Sequence, residues 1–282
     1  MNKIINIFAF LFAAFLLFSC EPGRAENGDF LFGVNQGETG GGGGGGTTVA
    51  KVLSKSFSHS FNDETNEWED VTTNYNYENK KLVSITTDGE TINITYNSND
   101  KIAKIEGNGL LTTFTYNANK QATELTNVFG GMPFNTSKFF YDGSNKLVKI
   151  DDLSALLVGI PIQLGREDTF TYSGSNIVKS VSVYRAVASG ATSTTDTVTA
   201  NFSYDTKIAP VSTLPFEFRL FTVSLGGVNS FTLSKNNMLS GSFVSMIDGT
   251  TTNTFTYEYD EDGYAKKAID GDEYTTFDYI KL

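Results

Sequence analysis

From Val49 onward the chain alternates apolar and polar residues in short runs separated by turn formers. The period is two, so each run has one apolar face, as in a strand with one side against a core. Ile92, Ile94 and Tyr96 share a face, with Asn93 and Thr95 on the other; Phe114 and Tyr116 repeat this against Thr113 and Thr115. The runs end in Asn, Asp, Gly or Ser, residues that accept positive φ or form local side-chain hydrogen bonds. A second alternating run follows, pairing Val83 with Ile85, Ala103 with Ile105 and Val148 with Ile150. Each such unit predicts a β-hairpin, with the aromatic-x-Tyr on the apolar face of the outgoing strand and a lysine where the chain re-enters the sheet.

The unit recurs along the chain. Copies read YNYENKKLVSI from Tyr75, ITYNSNDKIAKI from Ile94, FTYNANKQATEL from Phe114, FFYDGSNKLVKI from Phe139, FTYSGSNIVKSV from Phe170 and FSYDTKIAPV from Phe202. FTLSKNNMLSGSF from Phe231 has Leu233 in the tyrosine position, FTYEYDEDGYAKKAID from Phe255 is the last full copy, and FDYIKL is half of another. Hairpins in series predict an all-β antiparallel meander, and large sheets curl or close because strands twist and open edges mispair. The expectation is a closed barrel or strongly curled sheet of about 14 to 16 strands.

Two apolar insertions interrupt the series. DDLSALLVGIPIQLG, Asp151 to Gly165, predicts a helix capped by Asp152 and stopped by Pro161. IAPVSTLPFEFRLFTVSLGG, Ile208 to Gly227, is too apolar for a surface loop of its length. Both are expected to cover the interior face as plug or flap, with Leu156, Leu157, Phe216 and Phe221 under cover.

FTLSKNNMLSGSF after an apolar insertion, and TFTYEYDEDGYAKKAI, resemble segments of a family of lipid-anchored bacterial proteins of unknown function with a porin-like fold. Members place a Ser-Lys-Asn-Asn stretch after the insertion, then Tyr-x-Tyr-Asp-x-Asp-Gly-Tyr. Where members continue with Pro-Thr-Lys, this chain has Met238-Leu239-Ser240 and Ala265-Lys266-Lys267. The resemblance implies a porin-like barrel over Val49 to Leu282 and carries no catalytic residues. A fainter likeness is to the tyrosine-aspartate repeats of bacterial toxin shells.

The first fifty residues set the expected address. Lys3 precedes an apolar run from Ile4 to Phe18, and Leu17-Phe18-Ser19-Cys20 reads as a lipobox. The run suits a signal h-region better than a membrane span, which needs about 20 apolar residues. Residues 1–19 are therefore expected to be a lipoprotein signal, and Cys20, the only cysteine, the lipidated residue. Residues 20–48 then form a tether: Gly40 to Gly46 are seven consecutive glycines. Some 28 flexible residues reach about 30 Å. Phe30, Leu31 and Phe32 are apolar within it. The expected location is the bacterial outer membrane, on a periplasmic or a cell-surface face.

Charge and chemistry narrow the rest. The net charge of −11 becomes −12 without Lys3, and no basic cluster is present, so nucleic acid is a poor partner. A body without cysteine excludes disulfides, thiolate metal sites and cysteine nucleophiles. His59, the only histidine, shares a strand face with Phe57 and Phe61 in SFSHSF, which fits a hydrogen-bonded, partly buried ring rather than a catalyst. Glu258, Asp260, Asp262 and Gly263 imitate the first half of a calcium loop, but Ile269 stands where a bidentate Glu belongs. Asp270, Gly271, Asp272 and Glu273 form a second acidic turn. The polyglycine run lacks the lysine and helix start of a phosphate loop.

Trp68, the only tryptophan, lies among Glu64, Glu67, Glu69 and Asp70. It is the candidate ligand contact, able to stack on a sugar ring; a hydrolase would need two carboxylates facing across a cleft. No cofactor is expected. The reading that results is a monomeric, non-enzymatic, lipid-anchored domain that binds a glycan, an apolar ligand or an envelope protein, or scaffolds one. The alternatives are an outer-membrane pore and a glycan-binding or glycan-hydrolysing surface protein. Against the pore, the apolar stripe is two or three alternating positions deep, about 14 to 17 Å, where a lipid-facing band is about 25 Å. The chain also ends in Lys281-Leu282 rather than an aromatic residue.

Overall fold

The computed structural model describes residues 51–62, 65–155, 162–226 and 229–282. Seventeen antiparallel strands form one sheet. They are β1 (Lys51–Asn62), β2 (Glu67–Glu78), β3 (Lys81–Thr87), β4 (Glu90–Tyr96), β5 (Ile102–Gly107) and β6 (Leu110–Tyr116), then β7 (Ala122–Phe129), β8 (Met132–Tyr141), β9 (Leu147–Ser154), β10 (Ile162–Ser173), β11 (Asn176–Ala188) and β12 (Ala191–Ile208). After an insertion come β13 (Asn236–Ser245), β14 (Gly249–Thr254), β15 (Thr256–Tyr259), β16 (Ala265–Asp270) and β17 (Glu273–Lys281).

Neighbours in sequence are neighbours in the sheet, and β1 pairs with both β2 and β17, so the meander returns on itself. The barrel is nearly closed. The run from Gly249 to Tyr259 breaks at Phe255: β14 pairs with β13, and β15 with β16. That break, where one long strand changes partners, is why the count exceeds the expected upper limit.

The two rims are built differently. At the rim away from Lys51, tight turns put both central residues at positive φ, as at Asp88-Gly89, Asn108-Gly109 and Gly130-Gly131. These turns match the right-handed twist of the flanking strands. At the Lys51 rim the residue after tyrosine caps the turn. Asn97 Oδ1 accepts from the N–H groups of Asn99 (2.9 Å) and Lys101 (3.1 Å), and Asn117 does the same for Asn119 and Gln121. Asp142 caps Ser144 and Lys146, and Asp260 caps Asp262 and Tyr264. A side chain that closes its own turn in this way explains the Asn or Asp after Tyr96, Tyr116, Tyr141 and Tyr259.

Leu82, Ile85, Ile94, Ile102, Ile105, Phe114, Leu125, Phe139, Ile150 and Phe170 are apolar and buried on the inward face, which also holds Thr112, Asn127, Ser137, Arg166 and Asp168. One detail differs from strict alternation. In seven hairpins a bulge lies opposite the step just before the tyrosine, as at Asn76/Tyr77, Thr95/Tyr96 and Phe140/Tyr141. The buried residues of the return strands are therefore Leu82 with Ile85, Ile102 with Ile105 and Leu147 with Ile150, while Val83, Ala103 and Val148 stay half-buried. A bulge puts two residues opposite one and shifts the alternation by a position.

The tyrosines answer the bulges. Tyr77, Tyr96, Tyr116, Tyr172, Tyr204, Tyr257 and Tyr279 donate their hydroxyls to the carbonyls of Leu53, Leu82, Ile102, Leu147, Ile177, Met238 and Ala265. Each acceptor is the buried residue beside a bulge. Burial raises the phenol pKa of Tyr96, Tyr116 and Tyr257, so they remain protonated donors.

Candidate functional site

The lumen is filled by the second insertion. It contributes a 3-10 turn (Pro210–Thr213) and helix α1 (Phe216–Leu225). A second 3-10 turn (Ser230–Leu233) follows it, so the copy from Phe231 does not open with the strand its sequence suggests, and β13 starts at Asn236. Leu214, Phe218, Leu220, Phe221 and Val223 are buried in the same core as the inward strand residues, and Phe216 packs against it half-buried. Phe231 lies 5.8 Å from Phe202 between ring centroids. The expectation of a plug holds for this segment.

The plug is spliced into a turn without undoing it. Asp205 follows Tyr204 as a capping residue, and its Oδ1 accepts from Lys207 N–H at 2.9 Å. The chain then leaves, and on return Asn237 donates its N–H to the same Oδ1 at 3.1 Å and its Nδ2 to Oδ2 at 2.9 Å. Tyr259 also donates to Asp205. The Leu53 N–H donates to Thr213 Oγ1 at 2.7 Å, tying the insertion to β1.

At its far end α1 meets a polar layer of the barrel interior. Arg166 donates through Nη2 to the Val223 carbonyl (2.8 Å) and through Nε to Asp168 (2.9 Å). Asn135 donates to the Ser224 carbonyl (3.0 Å) and to Asp152 (2.8 Å), which also accepts from Ser137. Carbonyls at a helix C-terminus lack intrahelical partners and carry partial negative charge, so a guanidinium there is favourable. Burial raises the Asp152 pKa, against the pull of Arg166. At the other end Lys101 reaches Glu217 at 3.0 Å. Arg219 is buried, donates to the Thr232 carbonyl at 3.4 Å and stacks on Phe216 at 5.1 Å; burial lowers its pKa.

The first insertion corrects the sequence reading. Asp152 caps no helix: it lies in β9, paired with Arg166 of β10 and Ser137 of β8. Polar partners inside the barrel accommodate it there, an arrangement the local sequence does not announce. Leu156, Leu157 and Pro161 lie outside the described residues, as do Cys20, the tether and Glu64.

The outer wall is polar. Asn74, Asn76, Asn93, Thr95, Thr113, Thr115, Lys138, Thr169, Thr171, Lys179, Asn201 and Ser203 are all exposed. Phe140, Val244 and Ile280 are exposed apolar exceptions, and one region gathers several aromatic rings. On β1, Phe57, His59 and Phe61 point outward, because Ser56 and Ser58 are buried. Trp68 of β2 sits opposite Phe61, and Tyr274 of β17 opposite His59. The His59 ring stacks on Trp68 at 4.6 Å and 3°, Phe61 meets Trp68 edge-on at 5.4 Å, and Tyr274 lies 5.3 Å from His59. Trp68 remains 48% exposed. His59 Nδ1 is 2.6 Å from Asp70 Oδ1, and the Lys267 ammonium lies 4.2 Å from the Tyr274 ring centre.

The acidic residues near Trp68 do not converge. Asp70 shares its face, while Glu69 lies one position along the strand and accepts from Asn62 Nδ2. Asp260 and Asp262 hold Lys51 at 2.7 and 2.5 Å and raise its pKa, through the Asp260 hydrogen bond first. Glu273 accepts from the Phe61 N–H at 2.8 Å. The sequence signals neither the polar layer around Arg166 nor the partnership of His59 with Tyr274, which rests on the β1–β17 register.

No protein-family model matches the chain, and none of the curated proteins compared with it is similar in sequence. Among solved structures, the chain is similar to a porin-like protein from Bacteroides vulgatus, with a TM-score of 0.54 at 11% identity, over 83% of this chain and 100% of that one. It also aligns with a porin-like protein from Bacteroides uniformis, with a TM-score of 0.48 at 15% identity, over 81% of this chain and 96% of that one. The first of these likenesses shows a porin-like fold for the chain.

Proposed function

We propose that this chain is a lipid-anchored protein of the bacterial outer membrane whose tethered barrel binds or scaffolds, and neither conducts nor catalyses. The observation that carries this reading is the polarity of the wall. A barrel that spans a membrane turns apolar side chains to lipid and polar ones to its lumen. Here threonine, asparagine and lysine make up much of the outward face, with Phe140, Val244 and Ile280 as exposed exceptions, and leucine, isoleucine and phenylalanine fill the interior beside the polar layer around Arg166. The helix through the lumen supports the same reading, since it occupies the path a solute would take. The porin-like architecture is shared with a pore; the distribution of side chains on it is not. Among the described residues near Trp68, Asp70 faces outward without an opposing carboxylate, which speaks against glycoside hydrolysis.

Fractionation of cells expressing wild type and Cys20→Ser tests the reading. Wild type should enter membranes and take acyl label. The variant should lose the label and become a soluble, β-rich monomer without detergent. A variant that stays in the membrane and needs detergent would establish a spanning barrel instead.

A further inference from the structure

We propose that the outward aromatic strip over β17, β1 and β2 is a carbohydrate-binding surface, with Trp68 and Tyr274 as its contact rings and His59 packed between them to hold Trp68 in place. This rests on the tethered reading only in needing the wall to face water. The strip gathers Phe57, His59, Phe61, Trp68 and Tyr274 on one outward patch, whereas Phe140, Val244 and Ile280 are exposed apolar residues elsewhere on the wall; burial in the core does not explain the cluster. Sheet register fixes its shape: His59 sits between Tyr274 on one side and Asp70 on the other, one strand spacing from each. Tyr274 to the β2 row therefore spans about 10 Å, roughly two pyranose rings. His59 lies flat against the indole, so the Trp68 ring is held in one orientation, and nearly half of that residue stays exposed.

The surrounding charges select among ligands. The Asp70 side chain is 62% exposed beside His59, and Lys267 stands over Tyr274. An apolar protein surface or a bilayer covering the strip would strip water from a carboxylate and an ammonium together, which is costly without new partners. A pyranose offers what both parts need: C–H groups on its face for the rings, and hydroxyls at its rim for the carboxylate and ammonium. Charges of both signs favour a neutral sugar over an anionic or cationic one. Position agrees, for His59 lies about 25 Å along β1 from the rim where the chain enters from the expected tether, away from a membrane surface.

Trp68 is the only tryptophan, so indole emission reads the site directly. The detergent-solubilised full-length chain would be titrated separately with neutral hexose oligosaccharides and with N-acetylhexosamine oligosaccharides. Phosphatidylethanolamine–phosphatidylglycerol vesicles serve as a third arm. At least one sugar series should shift the emission saturably, and Tyr274→Ala should weaken that binding about tenfold. By calorimetry, Trp68→Ala should abolish binding and Trp68→Phe retain part of it, with thermal midpoints unchanged. Emission unmoved by either sugar series overturns the proposal, as does a response to vesicles alone or wild-type affinity in Tyr274→Ala. Because the chain is kept in detergent throughout, these outcomes do not depend on the fate of Cys20→Ser.

Discussion

At the scale of single residues, the chain writes tyrosine where phenylalanine would fill the same space because a backbone group needs a donor. A bulge takes one backbone group out of the ladder, and the tyrosine of the next hairpin reaches back to it. Tyr96 and Tyr141 separate this role from packing. Tyr96 donates to the Leu82 carbonyl at 3.0 Å, whereas the buried Tyr141 hydroxyl has no partner among the described residues. Tyr96→Phe should cost about 1 to 3 kcal/mol, because a buried acceptor is left without a donor. Tyr141→Phe should leave stability unchanged or raise it, because it removes an unpaired buried hydroxyl. Urea midpoints of the two variants check this; equal losses would mean the ladder contributes shape alone. Nothing in the sequence separates these two tyrosines, since the acceptor is a carbonyl that every residue carries.

Among elements, the plug has the most consequence. Phe221 is 3% exposed within α1 and packs 5.7 Å from Phe218. Phe221→Ala should cost about 3 to 5 kcal/mol, the usual loss for a buried aromatic whose site cannot collapse. Unfolding midpoints near wild type would make the helix a loosely held lid. How much of this was legible depends on where the information sat. The hairpins could be read because alternation and turn residues are local. The plug could be read because so apolar a segment has no stable place in water. Asp152 could not: two aspartates before an apolar run look like a helix start, and only pairing with Arg166 and Ser137 on other strands makes them part of a sheet. The bulges escaped for the same reason, since Val83, Ala103 and Val148 look as suited to the core as Leu82, Ile102 and Leu147. At the wall, the shared face of Phe57, His59 and Phe61 was visible along one strand. That Tyr274 would join them depends on a register between the two ends of the chain.

For the whole molecule, that register means more than closure. Leu53 pairs with Tyr279, the step to Lys55 carries the same bulge as the other hairpins, and Leu53 receives the hydroxyl of Tyr77. β17 and β1 thus stand as the outgoing and returning arms of a hairpin that lacks only its turn. The body is cyclic in design, and the point at which it is cut open is one choice among several. A circular permutant should show this: Lys281 joined towards Lys51 through a turn of the Asn117–Gln121 type, with new ends opened at Gly130-Gly131, should give the same circular dichroism and a cooperative unfolding transition. In the native order the opening falls on the Lys51 rim, where the proposed tether would enter, so the proposed point of attachment and the seam of the ring would be the same place. A pull on the proposed anchor would then load the β1 edge first, and the part of the barrel most exposed to that force would be the β17–β1 junction, which strand pairing alone holds shut.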